Sequence, residues 1–340
     1  MKAAILIGGQ GPRLRPFTLE SPKPLLPVLN RPFLEYQFRV LKAHGVREAV
    51  LCVSYRAEDF KRVFGDGRRL GLKLSYMREK MPLGTGGAVK NAEALLGRGT
   101  SLILNGDVLN AFDIRAFLRF HRAKKAEISI ALTRVKDPTL YGLVLTDMEG
   151  CVRRFLEKPS WDEVETNTIN AGAYLFEPSV FAHIPVGKTY SLERGLFPER
   201  LVAGAKLGGW VAPGYWIDIG TVEKYLQVHL DLLEGRTPFK SGPGAKPLRN
   251  ADGAKVVAGP GVKVAPFARF SGAVSLGRGV RIGKGAQLSD CVVLDGAEIG
   301  DGARLERCVV GARAHMGTHA TLGPGTALAG GSQVGDYSQL

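Results

Sequence analysis

Lys2-Ala3-Ala4-Ile5-Leu6-Ile7-Gly8-Gly9-Gln10-Gly11-Pro12-Arg13-Leu14-Arg15-Pro16 runs a strand into a glycine-rich turn, and its reading decides the fold. Ala3 to Ile7 is unbroken apolar chain, as expected of a strand covered on both faces. The glycines let backbone N–H groups approach an anion closely, and Arg13 and Arg15 bring guanidinium groups that neutralise it. Lys23, stiffened between Pro22 and Pro24, lies on a loop able to return to the same turn. Gly8, Gly9, Gly11, Arg13 and Lys23 together suit a bound triphosphate. Two better-known phosphate loops are excluded. A dinucleotide fingerprint needs a third small residue where Leu14 stands, and a Walker loop needs Gly-Lys-Ser/Thr.

Outward from this turn, strands and helices alternate up to about residue 235. Glu48–Val53, Leu72–Met77 and Ser101–Asn105 read as buried strands, and Glu127–Arg134 as a half-buried one. Pro32–His44, Ala57–Phe64 and Gly87–Leu96 read as helices, each closed by a glycine. Such alternation predicts an α/β domain with a mostly parallel, mixed, Rossmann-like sheet, whose ligands lie beyond the carboxyl ends of the strands. The glycine turn after the first strand is placed there.

After Leu233 the grammar changes. Residues 236–250, rich in proline and glycine, read as a linker. Then large aliphatics recur every six residues: Val264, Phe270, Leu276, Ile282, Leu288 and Leu294. After a five-residue step come Ile299 and Leu305, and after another Val310, Met316, Leu322, Leu328 and Val334. Small residues recur four places after most of them, among them Ala268, Val274, Val280, Ala286, Val292, Ala303, Val309, Ala314 and Ala320. The period is that of a parallel β-helix and resembles the left-handed hexapeptide-repeat type. The expected domains are therefore 1–235 (the α/β domain), 236–250 (linker) and 251–340 (left-handed β-helix). The tail is read as a stalk or self-association surface, giving a homo-oligomer. Acyl transfer is disfavoured, because His315 and His319 stand in the repeat without a long covering insertion.

With 340 residues, 45% hydrophobic content and a formal net charge of +14, the chain is a folded protein suited to anionic ligands. Its basic residues are dispersed, without a Lys/Arg tract or nucleic-acid motif, so no nucleic-acid partner is expected. Cys52, Cys151, Cys291 and Cys308 form neither a CxxC pair nor a metal spacing with histidine; they read as reduced thiols, mostly buried. No apolar run reaches membrane-span length. A soluble cytoplasmic protein, with no membrane partner, is the expectation.

Further motifs carry chemistry. Leu83-Gly84-Thr85-Gly86-Gly87-Ala88 leads into a helix, and its small residues would let a flat base lie against the backbone. Leu102-Ile103-Leu104-Asn105-Gly106-Asp107 and Trp216-Ile217-Asp218-Ile219-Gly220-Thr221 each end a strand in a carboxylate. Two carboxylates, completed by phosphate and water, suit Mg²⁺. Glu157-Lys158-Pro159 closes the strand Val152–Leu156 with a second cation and a hydroxyl acceptor. Asn170-Ala171-Gly172-Ala173-Tyr174 offers an amide beside small residues as the floor for a sugar ring. Each motif alone also reads as an ordinary cap, turn or ion pair; their order along the chain is what discriminates.

That order resembles the sugar-nucleotide pyrophosphorylases, or sugar-1-phosphate nucleotidyltransferases, across residues 1–235 and into the β-helix tail. The family opens with Gly-Gly-x-Gly-Thr-Arg-Leu-x-Pro-Leu-Thr and then Pro-Lys-Pro. Here it reads Gly8-Gly9-Gln10-Gly11-Pro12-Arg13-Leu14-Arg15-Pro16-Phe17-Thr18, then Pro22-Lys23-Pro24. The resemblance implies transfer of a nucleotidyl group from an NTP to a sugar 1-phosphate. Arg13, Lys23 and Lys158 would be the catalytic cations. Gly8, Gly9, Gly11, Leu83, Gly84, Thr85 and Asn105 would line the nucleotide, and Gly142, Glu157, Lys158 and Asn170 the sugar phosphate. Asp107 and Asp218 would hold Mg²⁺. Pro12 departs from the family's usual threonine and removes one backbone donor. Within the family the pattern looks most like the guanylyltransferases of mannose 1-phosphate, with thymidylyl or uridylyl transfer to glucose 1-phosphate as runner-up. A non-catalytic sensor of sugar nucleotides is the reading from another class.

Overall fold

In the computed structural model, residues 1–79, 81–242, 245–248 and 253–340 are described. Pro243, Gly244, Arg249 and Asn250 of the expected linker, and Ala251 and Asp252 at the expected start of the tail, lie outside these. The chain forms two compact units. One comprises Met1–Gly9 and Gln37–Trp216, the other Gln10–Tyr36 and Ile217–Leu340.

The first unit is built on one mixed sheet. Its strands are β1 (Ala3–Ile7), β2 (Glu48–Val53), β3 (Lys73–Arg78), β4 (Ser101–Asn105), β5 (Ile128–Arg134), β6 (Gly142–Thr146), β7 (Val152–Glu157), β8 (Thr168–Phe176) and β9 (Leu207–Val211). The order is β7-β6-β8-β4-β1-β2-β3, with β5 pairing β8 and β9. β1 lies parallel to β2 and β4, and β2 parallel to β3, whereas β8 runs antiparallel to β4 and β5. Ala3 to Ile7 are all buried, as their apolar run requires. The expected Gly87–Leu96 helix is instead two helices, Gly84–Asn91 and Glu93–Leu96.

β8 carries an irregularity that matters for the site. Its register against β5 shifts between Asn170 and Tyr174. Gly172 within the shift has φ of 68°, a left-handed conformation that glycine adopts without strain. Asn110 Nδ2 and Trp216 Nε1 both donate to the outturned Ala171 carbonyl, at 3.2 and 3.1 Å.

The second unit holds the parallel β-helix, left-handed in type, with strands stacked into three sheets. Val264, Ile282, Ile299, Met316 and Val334 stand in register along one sheet, and Phe270, Leu288, Leu305 and Leu322 along another. On the third, Leu276 pairs with Val293, then Val310 and Leu328. The stacking residue is therefore Val293 and not the expected Leu294, because the five-residue step falls one corner earlier. Cys291 and Cys308, both buried, stand in the coil core two places before Val293 and Val310, where a count of four places on gives Val292 and Val309, because each lies within a five-residue step. The helix Val222–Glu234 packs on the strands Lys255–Ala258 and Ala273–Leu276 of that third sheet.

The segment Gln10–Tyr36 belongs to this unit and is fastened to it. Asn30 Nδ2 donates to the Leu276 carbonyl (3.0 Å), Arg31 Nη2 to that of Ser241 (3.3 Å), and the Tyr36 ring meets Phe239 edge-on. Among the described residues no helix is long and apolar enough to cross a membrane.

Candidate functional site

In the second unit, the glycine turn expected to hold phosphate is set by Gly11. Its φ of 62° lies in the left-handed region, and the Thr18 hydroxyl and Leu14 N–H both donate to its carbonyl. A Cβ there would lie 3.1 Å from Thr18 Cγ2 and 3.4 Å from Lys23 Cε, so the buried Lys23 side chain folds against the turn. Pro12 takes the first position of the short helix Pro12–Leu14, where a missing N–H breaks no helical bond. The departure from the family pattern is thus accommodated without strain.

Arg13, exposed, reaches from this turn toward Gly220. A Cβ on Gly220 would lie 2.6 Å from Asp218 Oδ2 and 3.4 Å from Arg13 Nη2, so the two groups flank one point. Lys224 ion-pairs with the other oxygen, Oδ1. Sequence reasoning missed Lys224, which lies in the first turn of the helix after the aspartate. Arg13 and Lys224 thus stand on two sides of Asp218.

Gly8 and Gly9 belong to the first unit, where their carbonyls accept from Ser54 Oγ (3.0 Å) and Tyr55 OH (3.3 Å). A Cβ on Gly9 would meet nothing within 4 Å, so no packing demand explains the glycine. Asn105 ends β4, and Gly106-Asp107 turn the chain immediately after it. Gln37, a buried polar residue that the sequence did not single out, donates through Nε2 to the Asn105 carbonyl (2.7 Å). Asn105 Oδ1 is buried and has no hydrogen-bond partner among the described residues. A buried acceptor left unpaired is costly, and a ligand hydroxyl would satisfy it.

Leu83 and the first turn of the helix Gly84–Asn91 pack against the 188–190 segment. A Cβ on Gly86 would lie 2.8 Å from Tyr190 Cδ1, and one on Gly87 2.6 Å from the Lys188 carbonyl oxygen. Both N–H groups donate to the Tyr190 carbonyl, at 2.9 and 3.2 Å. These glycines make room for the 188–190 segment. Gly84 opens the helix, and a Cβ on it would lie 2.7 Å from the Tyr190 carbonyl oxygen; Leu83 N–H is held by the buried Glu79 carboxylate (2.9 Å), and Thr85 Oγ1 donates to Glu193 (2.7 Å). Glu79 was also missed.

The residues expected at the sugar phosphate stand on or just after β6, β7 and β8. Glu157 Oε2 lies 3.0 Å from where a Gly142 Cβ would be, so glycine opens the space beside that carboxylate. Lys158, exposed, takes a left-handed φ of 52° and donates its N–H to the Tyr141 carbonyl (2.9 Å). Asn170 Nδ2 donates to the buried Tyr174 hydroxyl (2.8 Å), while its Oδ1 accepts from Gly172 N–H. Burial, and then the charge of Glu193, push the Glu157 carboxyl above the usual range, against Lys158 and Arg194. Because the folded state binds this proton more tightly, stability from it is full below the ordinary carboxylate pKa. It is lost as pH rises through the elevated value. Glu157→Gln should therefore melt no lower than wild type at pH 7 to 8 while sugar-phosphate affinity falls. A clearly lower melting temperature there would refute the assignment.

Among the described residues no cluster of three or more His, Cys, Asp or Glu side chains forms a metal cage. Mg²⁺ needs none, since it binds through one or two carboxylates plus phosphates and water. The hard oxygens of Asp107 and Asp218 fit that chemistry.

A Rossmann-like mixed sheet followed along the chain by a parallel β-helix is the architecture of a nucleotidyltransferase with a hexapeptide-repeat tail. The Nucleotidyl transferase family matches residues 2–235, and the GMPPB C-terminal domain family matches 253–338. A mannose-1-phosphate guanylyltransferase of Mycobacterium tuberculosis is 41% identical over 86% of this chain and 80% of its own length. Mannose-1-phosphate guanylyltransferase 1 of Arabidopsis thaliana is 36% identical over 87% and 82%. Among solved structures, HddC from Yersinia pseudotuberculosis complexed with GMP-PN is similar with a TM-score of 0.59 and 28% identity, covering 67% of this chain and 97% of that one. The chain belongs to the nucleotidyl transferase family.

Proposed function

We propose that the protein makes GDP-mannose and pyrophosphate from GTP and mannose 1-phosphate. The observation that carries the reading is the cluster of Arg13, Lys23, Asp218 and Lys224 built around Gly11 and Gly220. A phosphate oxygen of the sugar phosphate is already ionised near neutral pH, so the attack on the α-phosphorus needs no general base. The protein's task is to hold two mutually repelling anions and to neutralise developing charge. Arg13 and Lys23 are assigned to the triphosphate, with the Gly8, Gly9 and Gly11 backbone beneath it. Leu83, Gly84, Thr85 and Asn105 are assigned to the nucleoside. Lys158 takes the sugar phosphate, and Gly142, Glu157 and Asn170 surround the sugar. Asp107 and Asp218 are the proposed Mg²⁺ ligands; the bound ion would screen phosphate charge and orient the reacting groups.

We further assign residues 1–235 to catalysis, 236–250 to a linker and 251–340 to a β-helix that mediates self-association. The four cysteines are free, which supports a reducing compartment such as the cytoplasm. Base and sugar choice are tested together. Pyrophosphate release is measured for each NTP against mannose and glucose 1-phosphates. GTP with mannose 1-phosphate is expected to give the highest kcat/KM. A thymidine or uridine nucleotide with glucose 1-phosphate in first place would overturn the substrate assignment. Sugar-nucleotide binding without any turnover would mark a sensor.

A further inference from the structure

We propose that Glu193 is a positioning residue that joins the nucleotide loop to the sugar floor and fixes the hydrogen-bonding polarity of Asn170. The inference rests on the proposed assignment of Thr85 to the nucleotide and Asn170 to the sugar. Glu193 sits on a single wide π-helical turn, Leu192–Leu196, a geometry that recurs at functional sites. Ser191 caps that turn, its Oγ accepting from Glu193 N–H (3.2 Å) and Arg194 N–H (3.1 Å).

Three hydroxyl protons converge on the one carboxylate. Thr85 Oγ1 donates to Oε2 at 2.7 Å, Ser191 Oγ to Oε2 at 2.9 Å, and Tyr174 OH to Oε1 at 3.3 Å. Each hydroxyl has a single proton, so committing it to Glu193 leaves only its oxygen lone pairs for other partners. Thr85 Oγ1 accordingly accepts from Leu192 N–H (2.9 Å), and Tyr174 OH accepts from Asn170 Nδ2 (2.8 Å). The Asn170 carbonyl oxygen is taken by Gly172 N–H (3.0 Å). Asn170 is thereby fixed with its amide nitrogen toward Tyr174, leaving its second N–H and the other lone pair of its oxygen for a ligand. A sugar hydroxyl can accept from that N–H, while the Glu157 carboxylate can take a proton from another. Glu193 thus fixes which edge of the Asn170 amide faces Tyr174 and which faces the sugar floor. It does so from the same carboxylate that anchors the nucleotide loop. Networks in which every member is satisfied hold geometry more firmly than their separate bonds would.

The test measures initial rates over a matrix of GTP and mannose 1-phosphate concentrations for wild type, Glu193→Gln, Glu193→Ala, Thr85→Val and Tyr174→Phe. Thermal melting is recorded for each, and for the Thr85→Val/Tyr174→Phe double variant with and without Glu193→Gln. Glu193→Ala should raise KM for both substrates about tenfold or more, the size of one lost charge-assisted hydrogen bond, with Glu193→Gln recovering part of the loss. Thr85→Val should raise KM for mannose 1-phosphate as well as for GTP. Both KM values within twofold of wild type in Glu193→Ala, or a Thr85→Val effect confined to GTP, would overturn the proposal. Wild type inactive with every NTP would instead sink the reading of the site. The melting cycle then decides the network on its own, and additive effects of Thr85→Val and Tyr174→Phe would overturn it.

Discussion

Asp218→Asn will lower kcat by about 10²–10⁴-fold while the protein folds and melts close to wild type. The substitution keeps the side chain's shape but removes the charge that Lys224 and Arg13 surround. In the proposed reaction that charge holds Mg²⁺, and losing one preorganised electrostatic partner of a phosphoryl transition state costs on this scale. Asp218 is half-buried on the short strand Trp216–Asp218, so the neutral amide leaves no isolated buried charge behind. The measurement is kcat under saturating GTP, mannose 1-phosphate and Mg²⁺, with the melting curve as control. Asp107→Asn should behave alike. Near-wild-type turnover in both variants would remove the carboxylates from the mechanism.

A chain ended at Gly235 will lose at least about a hundredfold in activity, because the phosphate turn depends on the β-helix for its shape. The partners lost are the Leu276 carbonyl for Asn30, the Ser241 carbonyl for Arg31, Gly242 N–H for the Leu29 carbonyl and Phe239 for the Tyr36 ring. Phe17, Leu26 and Pro27 line a cavity of about 200 Å³ with Leu294 and Ala312, and these apolar groups would face water. The Arg313–Glu20 ion pair, largely exposed at 3.3 Å, adds little. A displacement of about 1 Å at a catalytic group is enough for a loss of about this size. Hydrogen exchange across Gln10–Tyr36 should rise in the same truncated chain. Full activity with unchanged exchange would show that the segment holds its form unaided, and the β-helix would then be a stalk only.

Those contacts were not legible in the sequence, where the tail reads as a stalk and the turn as part of a separate domain. The six-residue period announced the β-helix, since stacking is a strictly repetitive demand and leaves a repetitive trace. The corner at which a step shortens was misplaced, because Val293 and Leu294 are adjacent and both aliphatic. Only the register against Leu276 and Val310 tells them apart. Gly86 and Gly87 show the opposite difficulty. Their smallness was visible, but its cause, the 188–190 segment packed against them, comes from far along the chain. Gln37, Glu79, Glu193 and Lys224 escaped notice for one reason. Single polar residues in helices, strand ends and turns carry no local signal until folding supplies their partners.

The sequence by itself determined the two kinds of architecture and the inventory of cations, carboxylates and amides. Burial on two faces, helical amphipathicity and coil stacking are periodic and short in range, so they are written into neighbouring residues. Only the tertiary structure decided which donor meets which acceptor. Examples are Glu193 gathering protons from Thr85, Ser191 and Tyr174, and Asn30 reaching Leu276. Hydrogen bonds act over about 3 Å and discriminate by angle, so they are settled only when distant parts of the chain have been brought together.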